Sequence, residues 1–199
     1  MSAESLWAFC LFALVSCITP GPNNTMLMAS GVNFGFRQSF RHLAGVQVGF
    51  IVMLLCVGLG LQGVLLQFPQ IYDVLRYAGG SYLVWMAYKL ATARPATVGA
   101  SASTQPMGFW AAAAFQWLNP KAWVMTVTCM STYLSPQASL NQLLILVGLF
   151  FVLGAPCSVF WLGFGQALRQ WLQDPVRLRG FNIAMALALL VSLYPLLNG

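Results

Sequence analysis

Long apolar runs alternate with short polar segments along the whole chain. The runs cover about 6–30, 43–67, 71–91, 107–134, 139–168 and 180–197. A helix needs roughly 20 apolar residues to cross about 30 Å of hydrocarbon. Because each run approaches or exceeds that length, the pattern predicts an all-α integral membrane protein with six transmembrane helices.

A small polar segment separates the first three predicted helices from the last three. Residues 93–106 are rich in Ala, Ser, Thr, Pro and Gly, which is typical of a flexible linker. One half then covers about 1–92 and the other about 107–199. Two copies of an odd number of helices have opposite orientations in a membrane. We therefore predict a single membrane domain, 1–199, built from two inverted three-helix repeats.

The first predicted helix is interrupted near its middle by the sequence TPGPNN, residues 19–24. Proline removes a backbone donor and clashes with the preceding turn, so this segment should unwind the helix. Carbonyls freed at Thr19 or Gly21 are tolerated at membrane depth only when they are buried in protein or line a wet cavity. The break therefore predicts a binding site, where Asn23 and Asn24 can donate and accept hydrogen bonds.

The fourth predicted helix has a matching interruption, the sequence WLNPKAW at residues 117–123. Pro120 lies 100 residues after Pro20, about half the chain length. The first helix of each predicted repeat is thus broken at a Pro/Asn motif. Paired discontinuous helices near the midplane are typical of a transport site. A packing kink is the alternative, but two breaks in matching positions favour the site.

Lys121 lies inside the second break, where a charged side chain is costly. A lysine at the centre of a membrane helix costs about 2.5–3.5 kcal/mol on insertion scales. Its ammonium is expected either to hold a substrate carboxylate or to donate to the carbonyls freed at the facing break. Both interpretations stay open from the sequence.

Composition and charge agree with a membrane protein. The chain is 59% hydrophobic and only 6% charged, whereas soluble domains carry about 25% charged residues. Nine basic residues outnumber three acidic ones, but they are too scattered to form a nucleic-acid-binding stripe and suit loops beside anionic lipid. Most of them flank the odd-numbered loops, so the positive-inside rule places both termini outside the cell.

The sequence contains no motif that indicates enzyme chemistry. It has no HExxH, GxSxG or P-loop pattern, and a single histidine. Its three acidic residues lie near the predicted membrane faces, and its five cysteines lack metal-ligand spacing. We therefore expect no enzyme activity, no cofactor and no metal.

Four segments, in this order, carry a resemblance to a known family: TPGPNN, GFRQSFRHLAGVQVG, YAGGSYLVWMAYK and GFWAAAAFQWLNPKAW. Over about 6–197 the chain resembles the lysine-exporter-type (LysE/RhtB) superfamily of amino-acid exporters. It is most similar to the branch that exports neutral amino acids and their derivatives. The resemblance carries onto this chain the site residues Pro20, Gly21, Pro22, Asn23, Asn24, Asn119, Pro120 and Lys121. We add Thr19 because its carbonyl is freed by the break.

The resemblance implies a multi-pass secondary transporter in the bacterial inner membrane, working by alternating access and driven by the proton-motive force. Its substrate is expected to be of the cysteine, O-acetylserine, homoserine, threonine or leucine class. A cationic side chain would lack a buried acidic partner, which also favours a neutral substrate. Protons are the expected coupling ion, with a proton carried by the substrate or the potential alone as alternatives.

Two other functions stay open. A membrane thiol–disulfide electron carrier would use Cys17 and Cys129, which lie in the two broken helices. Their positions disagree, because Cys17 comes three residues before Pro20 and Cys129 nine residues after Pro120. A small passive channel is the other alternative.

Three smaller features complete the expectations. Gly45 and Gly49 form a GxxxG pair that lets helices approach closely, either within the chain or in a homodimer. His42, beside Arg41 in the first predicted loop, is expected to be solvated. Gln47, Gln62 and Gln116 are expected to bridge helices, with substrate contact as the alternative.

Overall fold

A computed structural model of the chain describes residues 3–61, 67, 69–92, 105–135 and 138–192. These residues form α-helices joined by short turns, and no strand is present among them. The helices are α1 Ala3–Ile18, α2 Pro22–Phe34, α3 Phe36–Cys56, α4 Pro69–Ala91, α5 Phe109–Phe115, α6 Pro120–Tyr133, α7 Leu140–Leu168 and α8 Pro175–Val191. The all-α prediction is confirmed for this part of the chain.

The first predicted membrane helix is a bent pair. Helix α1 ends at Ile18 and α2 begins at Pro22, with a bend of 49° between them. The break comes where the prolines predict it, because Pro22 suits the first turn of a helix but not its interior. Gly21 before it is fully extended, with φ 177° and ψ 178°.

The fourth predicted helix is broken as well. Helix α5 ends at Phe115, a 3₁₀ turn covers Gln116–Leu118, and α6 begins at Pro120. Asn119 between them is extended and caps α6, because its side chain accepts a hydrogen bond from the backbone N–H of Lys121 at 3.1 Å. Both predicted breaks are therefore present, one in each half of the chain.

Length and apolarity identify fewer membrane crossings than the sequence pattern predicts. In the described part of the chain, Phe36–Gly60 and Leu140–Leu168 are each long and apolar enough to cross a membrane. The bent pair α1 and α2 makes a third crossing if it is counted as one span. The structure thus agrees with a polytopic membrane protein, and six crossings in inverted repeats stay a prediction.

Helices from the two halves pack against each other throughout the molecule. Helix α7 contacts α1, α2 and α3, helix α3 contacts α5, and α4 packs against α8. One apolar core forms between α1, α3, α6 and α7, with Phe9, Met53, Cys129 and Phe150 at its centre. A second core joins α2, α4, α5 and α8. The two breaks are held together by this packing.

Glycines permit the closest of these approaches. A Cβ added to Gly45 would lie 2.3 Å from the carbonyl oxygen of Phe109, and one added to Gly49 would lie 2.5 Å from the Cα of Ala113. The GxxxG pair therefore packs α3 against α5 within the chain, as predicted. A homodimer stays a prediction.

Helix α3 begins earlier than the sequence predicts. The residues expected in the first loop, Arg37, Arg41 and His42, all lie within α3. The prediction that His42 is solvated is wrong, because its side chain is only 2% exposed. Its two ring nitrogens have no hydrogen-bond partner among the described residues. The arginines on the exposed face of α3 made this segment appear to be a loop.

Some predicted features lie outside the described residues. Most of the expected linker, residues 93–104, belongs to this group, as do residues 62–66 of the second predicted helix, which include Gln62, and residues 193–197 of the sixth. The fifth predicted loop is described. There Asp174 begins α8 by accepting hydrogen bonds from the backbone N–H groups of Val176 at 2.7 Å and Arg177 at 3.3 Å.

Candidate functional site

The first break frees backbone carbonyls, and side chains from three helices satisfy them. The side-chain amide of Asn24 donates to the carbonyl oxygens of Cys17 at 2.7 Å and of Thr19 at 2.8 Å. The indole N–H of Trp161, from α7, donates to the carbonyl of Ile18 at 3.1 Å. Unpaired backbone groups are costly away from water, so these donors stabilise the break.

Lys121 reaches across from the second break to the first. Its ammonium Nζ donates to the carbonyl oxygen of Thr19 at 2.7 Å, to the Thr19 hydroxyl at 2.9 Å and to the carbonyl of Pro20 at 3.3 Å. The side chain also passes over Gly21, because a Cβ added there would lie 2.6 Å from Lys121 Cδ. Of the two interpretations that the sequence leaves open for Lys121, the structure shows the donation to carbonyls of the facing break, and binding of a substrate carboxylate stays a proposal.

A second polar bridge links the breaks. The amide nitrogen of Asn23 donates to Oε1 of Gln116 at 2.8 Å, and the amide nitrogen of Gln116 donates back to Oδ1 of Asn23 at 3.2 Å. Gln116 is completely buried and also donates to the carbonyl of Ala112 at 2.9 Å. This pair confirms that Gln116 bridges helices, and it holds α2 against the end of α5.

A cavity opens between the two breaks. Five of the predicted site residues line it, and they come from both breaks: Gly21, Asn23, Asn24, Asn119 and Lys121. Its volume is about 50 Å³, which corresponds to roughly four water molecules at about 10–15 Å³ each. The space suits a small metabolite better than a peptide.

The other predicted site residues act behind the cavity wall. Thr19 and Pro20 supply the oxygens that hold Lys121. Pro22 and Pro120 each begin a helix, so their role is to place the break. None of these four is among the residues that line the cavity.

Residues from α1, α3, α6 and α7 complete the wall, and apart from Gln47, for which substrate contact was the alternative, the sequence analysis did not propose them as substrate contacts. The polar ones are Ser16, Cys17, Gln47 and Ser158, and the apolar ones include Val46, Phe50, Met125 and Phe150. Their positions depend on how α3 and α7 pack against the breaks. The glutamine in an apolar helix was the one signal in the sequence that pointed to this wall.

The charge of the site is positive. Lys121 is the charged residue that lines the cavity, and none of the lining residues, all within the described ranges, carries a carboxylate. Its contacts at the break are to neutral oxygens. The uncompensated ammonium therefore makes the site able to hold an anionic group such as a carboxylate.

The two cysteines that a thiol–disulfide relay would use lie in different surroundings. All five lie in the described part of the chain and are free thiols. Cys17 lines the cavity, whereas Cys129 is fully buried in the apolar core around Phe9 and Phe150. The two thiols have unlike surroundings, which counts against their equivalent use in a thiol–disulfide relay.

Apolar helices long enough to cross a membrane, together with a cavity lined by residues from two helix breaks, are typical of a membrane transport protein. Residues 14–193 match the model of the LysE type translocator family, and the chain belongs to it. The resemblance seen in the sequence is thereby confirmed, and with it the prediction that the chain is not an enzyme.

Curated relatives match over nearly the whole chain. The chain is 36% identical over 191 residues to a protein of Escherichia coli strain K12 named cysteine/O-acetylserine efflux protein, with 95% of each chain covered. A protein of the same name from Shigella sonnei strain Ss046 matches equally well, and one from Escherichia coli O139:H28 covers 96% of each chain. No solved structure matches the chain.

Proposed function

We propose that this protein exports a small neutral amino acid, or an amino-acid derivative, from the cytoplasm. The observation that carries the proposal is the Lys121 ammonium, held at the wall of a cavity between two helix breaks. Membership of the LysE type translocator family and relatives named cysteine/O-acetylserine efflux protein support the same conclusion. The proposed substrates are cysteine, O-acetylserine, homoserine, threonine and leucine.

The two ends of an amino acid match groups in the cavity wall. Lys121 is proposed to bind the substrate carboxylate, because it is the cation that lines the cavity. Asn24 is proposed to accept from the substrate ammonium. The amide nitrogen of Asn24 already donates to the carbonyls of Cys17 and Thr19. The Oδ1 atom of the same side chain is therefore the atom that can accept a hydrogen bond from the substrate ammonium.

The proposed substrate is neutral and small. A cationic side chain would need an acidic partner, and the lining residues offer none in the described part of the chain. The small cavity, about 50 Å³, favours a small substrate. Phe50 and Phe150 in the wall would cover its apolar part.

The proposed mechanism is alternating access between the two halves of the chain. Lys121 belongs to the second half and donates to carbonyls of the first, so it links the two halves. A bound carboxylate would compete with Thr19 for the ammonium and loosen this link. We propose six crossings in inverted repeats, a location in the bacterial inner membrane, both termini outside, and the proton-motive force as the source of energy.

Efflux from proteoliposomes tests the proposal. Vesicles are loaded with one labelled amino acid at a time, and efflux is measured with a pH gradient and a membrane potential imposed separately. We expect saturable efflux of one or more neutral compounds. Lys121→Ala and Asn24→Ala should each reduce it at least tenfold, because each removes a group that holds one end of the substrate.

Lys89→Ala is the matched control. Lys89 is the other lysine of the chain, and its ammonium lies 5.4 Å from the centre of the exposed Trp85 ring, away from the cavity lining. This variant should retain wild-type efflux. Wild-type efflux in both Lys121→Ala and Asn24→Ala would contradict the proposed site, and efflux that never saturates would indicate a passive channel.

A further inference from the structure

We infer that Gln47 and Ser158 form a subsite that recognises a polar group on the side chain of the substrate. This inference rests on the proposed function, since it concerns the same cavity. It goes further by assigning specificity to two residues outside both helix breaks. The substrate class that follows is a small amino acid with a hydroxyl, thiol or ester oxygen near the end of its side chain.

The two residues meet across the interface between the halves. Gln47 lies on α3 and Ser158 on α7, and the side-chain amide of Gln47 donates to the Ser158 hydroxyl oxygen at 2.6 Å. Both line the cavity that Lys121 and Asn24 also line. A substrate held at the breaks by its carboxylate and ammonium therefore has this pair within the same space.

The pair retains unused hydrogen-bonding capacity. A glutamine amide offers two donor hydrogens and an acceptor oxygen. Gln47 uses its nitrogen on Ser158, while its Oε1 accepts no hydrogen bond from the residues that the structure describes. The Ser158 hydroxyl hydrogen is also available, because its oxygen acts as the acceptor in this bond. A substrate hydroxyl or thiol can thus donate to Gln47 and accept from Ser158.

The bridge between Asn23 and Gln116 provides a contrast within the same molecule. Those two amides exchange a donor and an acceptor with each other, and Gln116 donates further to Ala112. That bridge is internally satisfied, as expected of a structural link. The Gln47–Ser158 pair makes a single bond and faces the cavity, as expected of a recognition site.

The surroundings make recognition selective. Phe50 and Phe150 line the same cavity, and a polar substrate group placed against aromatic rings loses water without gaining a partner. The Gln47–Ser158 pair supplies that partner. A site that hydrogen-bonds a substrate hydroxyl discriminates against the analogue that lacks it.

Homoserine and norvaline give the sharpest comparison, because they differ only by a hydroxyl in place of a terminal methyl. Efflux of each is measured from proteoliposomes containing the wild type, Gln47→Leu or Ser158→Ala. The wild type should export homoserine at least tenfold faster than norvaline. In both variants the ratio of the two rates should fall about tenfold, with norvaline efflux retained.

Ser39→Ala serves as the matched control. Ser39 is buried in α3, donates to the carbonyl of Ser30 at 3.1 Å, and is not among the residues that line the cavity. Its variant should leave the ratio unchanged. An unchanged ratio in Gln47→Leu and Ser158→Ala, or an equal loss of both rates, would overturn the inference and leave the proposed function standing. A wild type that exports no amino acid would overturn both.

Discussion

Lys121 combines two properties that are costly together in a membrane, a positive charge and a position among apolar helices. Three oxygens of the first break, two backbone carbonyls and one hydroxyl, hold its ammonium at 2.7 to 3.3 Å. Neutral oxygens solvate the charge without cancelling it, whereas a carboxylate partner would have neutralised it. The ammonium thus remains able to attract an anion.

Gly21 allows Lys121 to lie against the break, and this leads to a prediction. A Cβ at Gly21 would lie 2.6 Å from Lys121 Cδ and 3.2 Å from Nζ. The backbone at Gly21 is extended and accepts alanine without strain, so Gly21→Ala should displace the flexible lysine and leave the fold intact. We expect at least a tenfold loss of efflux with an unchanged melting temperature.

The matched control for that prediction is Gly148→Ala, because a Cβ at Gly148 meets nothing within 4 Å. It should retain both efflux and stability. If Gly21→Ala transports as well as the control, the position of Lys121 against the break is not required for transport.

At the scale of elements, the crossing of α2 and α7 fixes where the first break lies. A Cβ at Gly31 would lie 2.2 Å from the carbonyl oxygen of Leu162, and one at Gly165 would lie 2.1 Å from the carbonyl oxygen of Met28. Backbone atoms cannot move aside as a side-chain end can. The two helices are therefore in direct backbone contact, as small residues permit in membranes.

Widening this crossing should destabilise the protein. Gly165→Ala places a methyl group against the backbone of α2, and overpacking of this kind costs about 1–3 kcal/mol. We expect a lower melting temperature in detergent, measured by tryptophan fluorescence. Gly163→Ala, two residues away on the same helix with nothing within 4 Å of the added Cβ, should melt like the wild type. Equal melting temperatures for the two variants would contradict the close crossing.

The helix breaks could be predicted from the sequence, whereas the walls of the cavity could not. Proline and asparagine affect the backbone of the turn in which they lie. Pro22 and Asn119 therefore indicate helix starts without any knowledge of the tertiary packing. The contact between Gln47 and Ser158 joins residues 111 positions apart and depends on how α3 packs on α7. Local patterns contain no information about that packing.

The start of α3 was predicted wrongly for a different reason, because a helical segment was interpreted as a loop. Arg37 and Arg41 are exposed and lie on the same helix as the buried His42. Hydropathy averages over a window, so the arginines hid the buried face of the helix. With a helical period of about 3.6 residues, Arg37 and Arg41 lie on one face and His42 lies on another. That periodicity would have predicted a buried His42.

At the scale of the whole molecule, the cavity lies between the two halves of the chain. Labelling of a native cysteine can test whether substrate occupies it. Cys17 lines the cavity, whereas Cys129 is fully buried. In variants that retain one cysteine each, N-ethylmaleimide should label Cys17, and bound substrate should slow that labelling. Cys129 should react far more slowly in folded protein and show no substrate effect.

The same set of variants tests the redox alternative. A variant without any cysteine should retain efflux, because the proposed transport uses no thiol chemistry. Loss of efflux from a well-folded cysteine-free protein would favour the thiol–disulfide relay. Substrate that leaves Cys17 labelling unchanged would contradict its place in the substrate cavity.

The central claim is that Lys121 binds the substrate carboxylate in a cavity formed by both halves. Equilibrium binding of the labelled substrate to purified protein in nanodiscs tests it most directly, with Lys121→Ala and Lys89→Ala measured in parallel. We predict saturable binding to the wild type and to Lys89→Ala, and an affinity at least tenfold weaker for Lys121→Ala, a difference of about 1.4 kcal/mol. Equal affinity in Lys121→Ala and the wild type would contradict the claim.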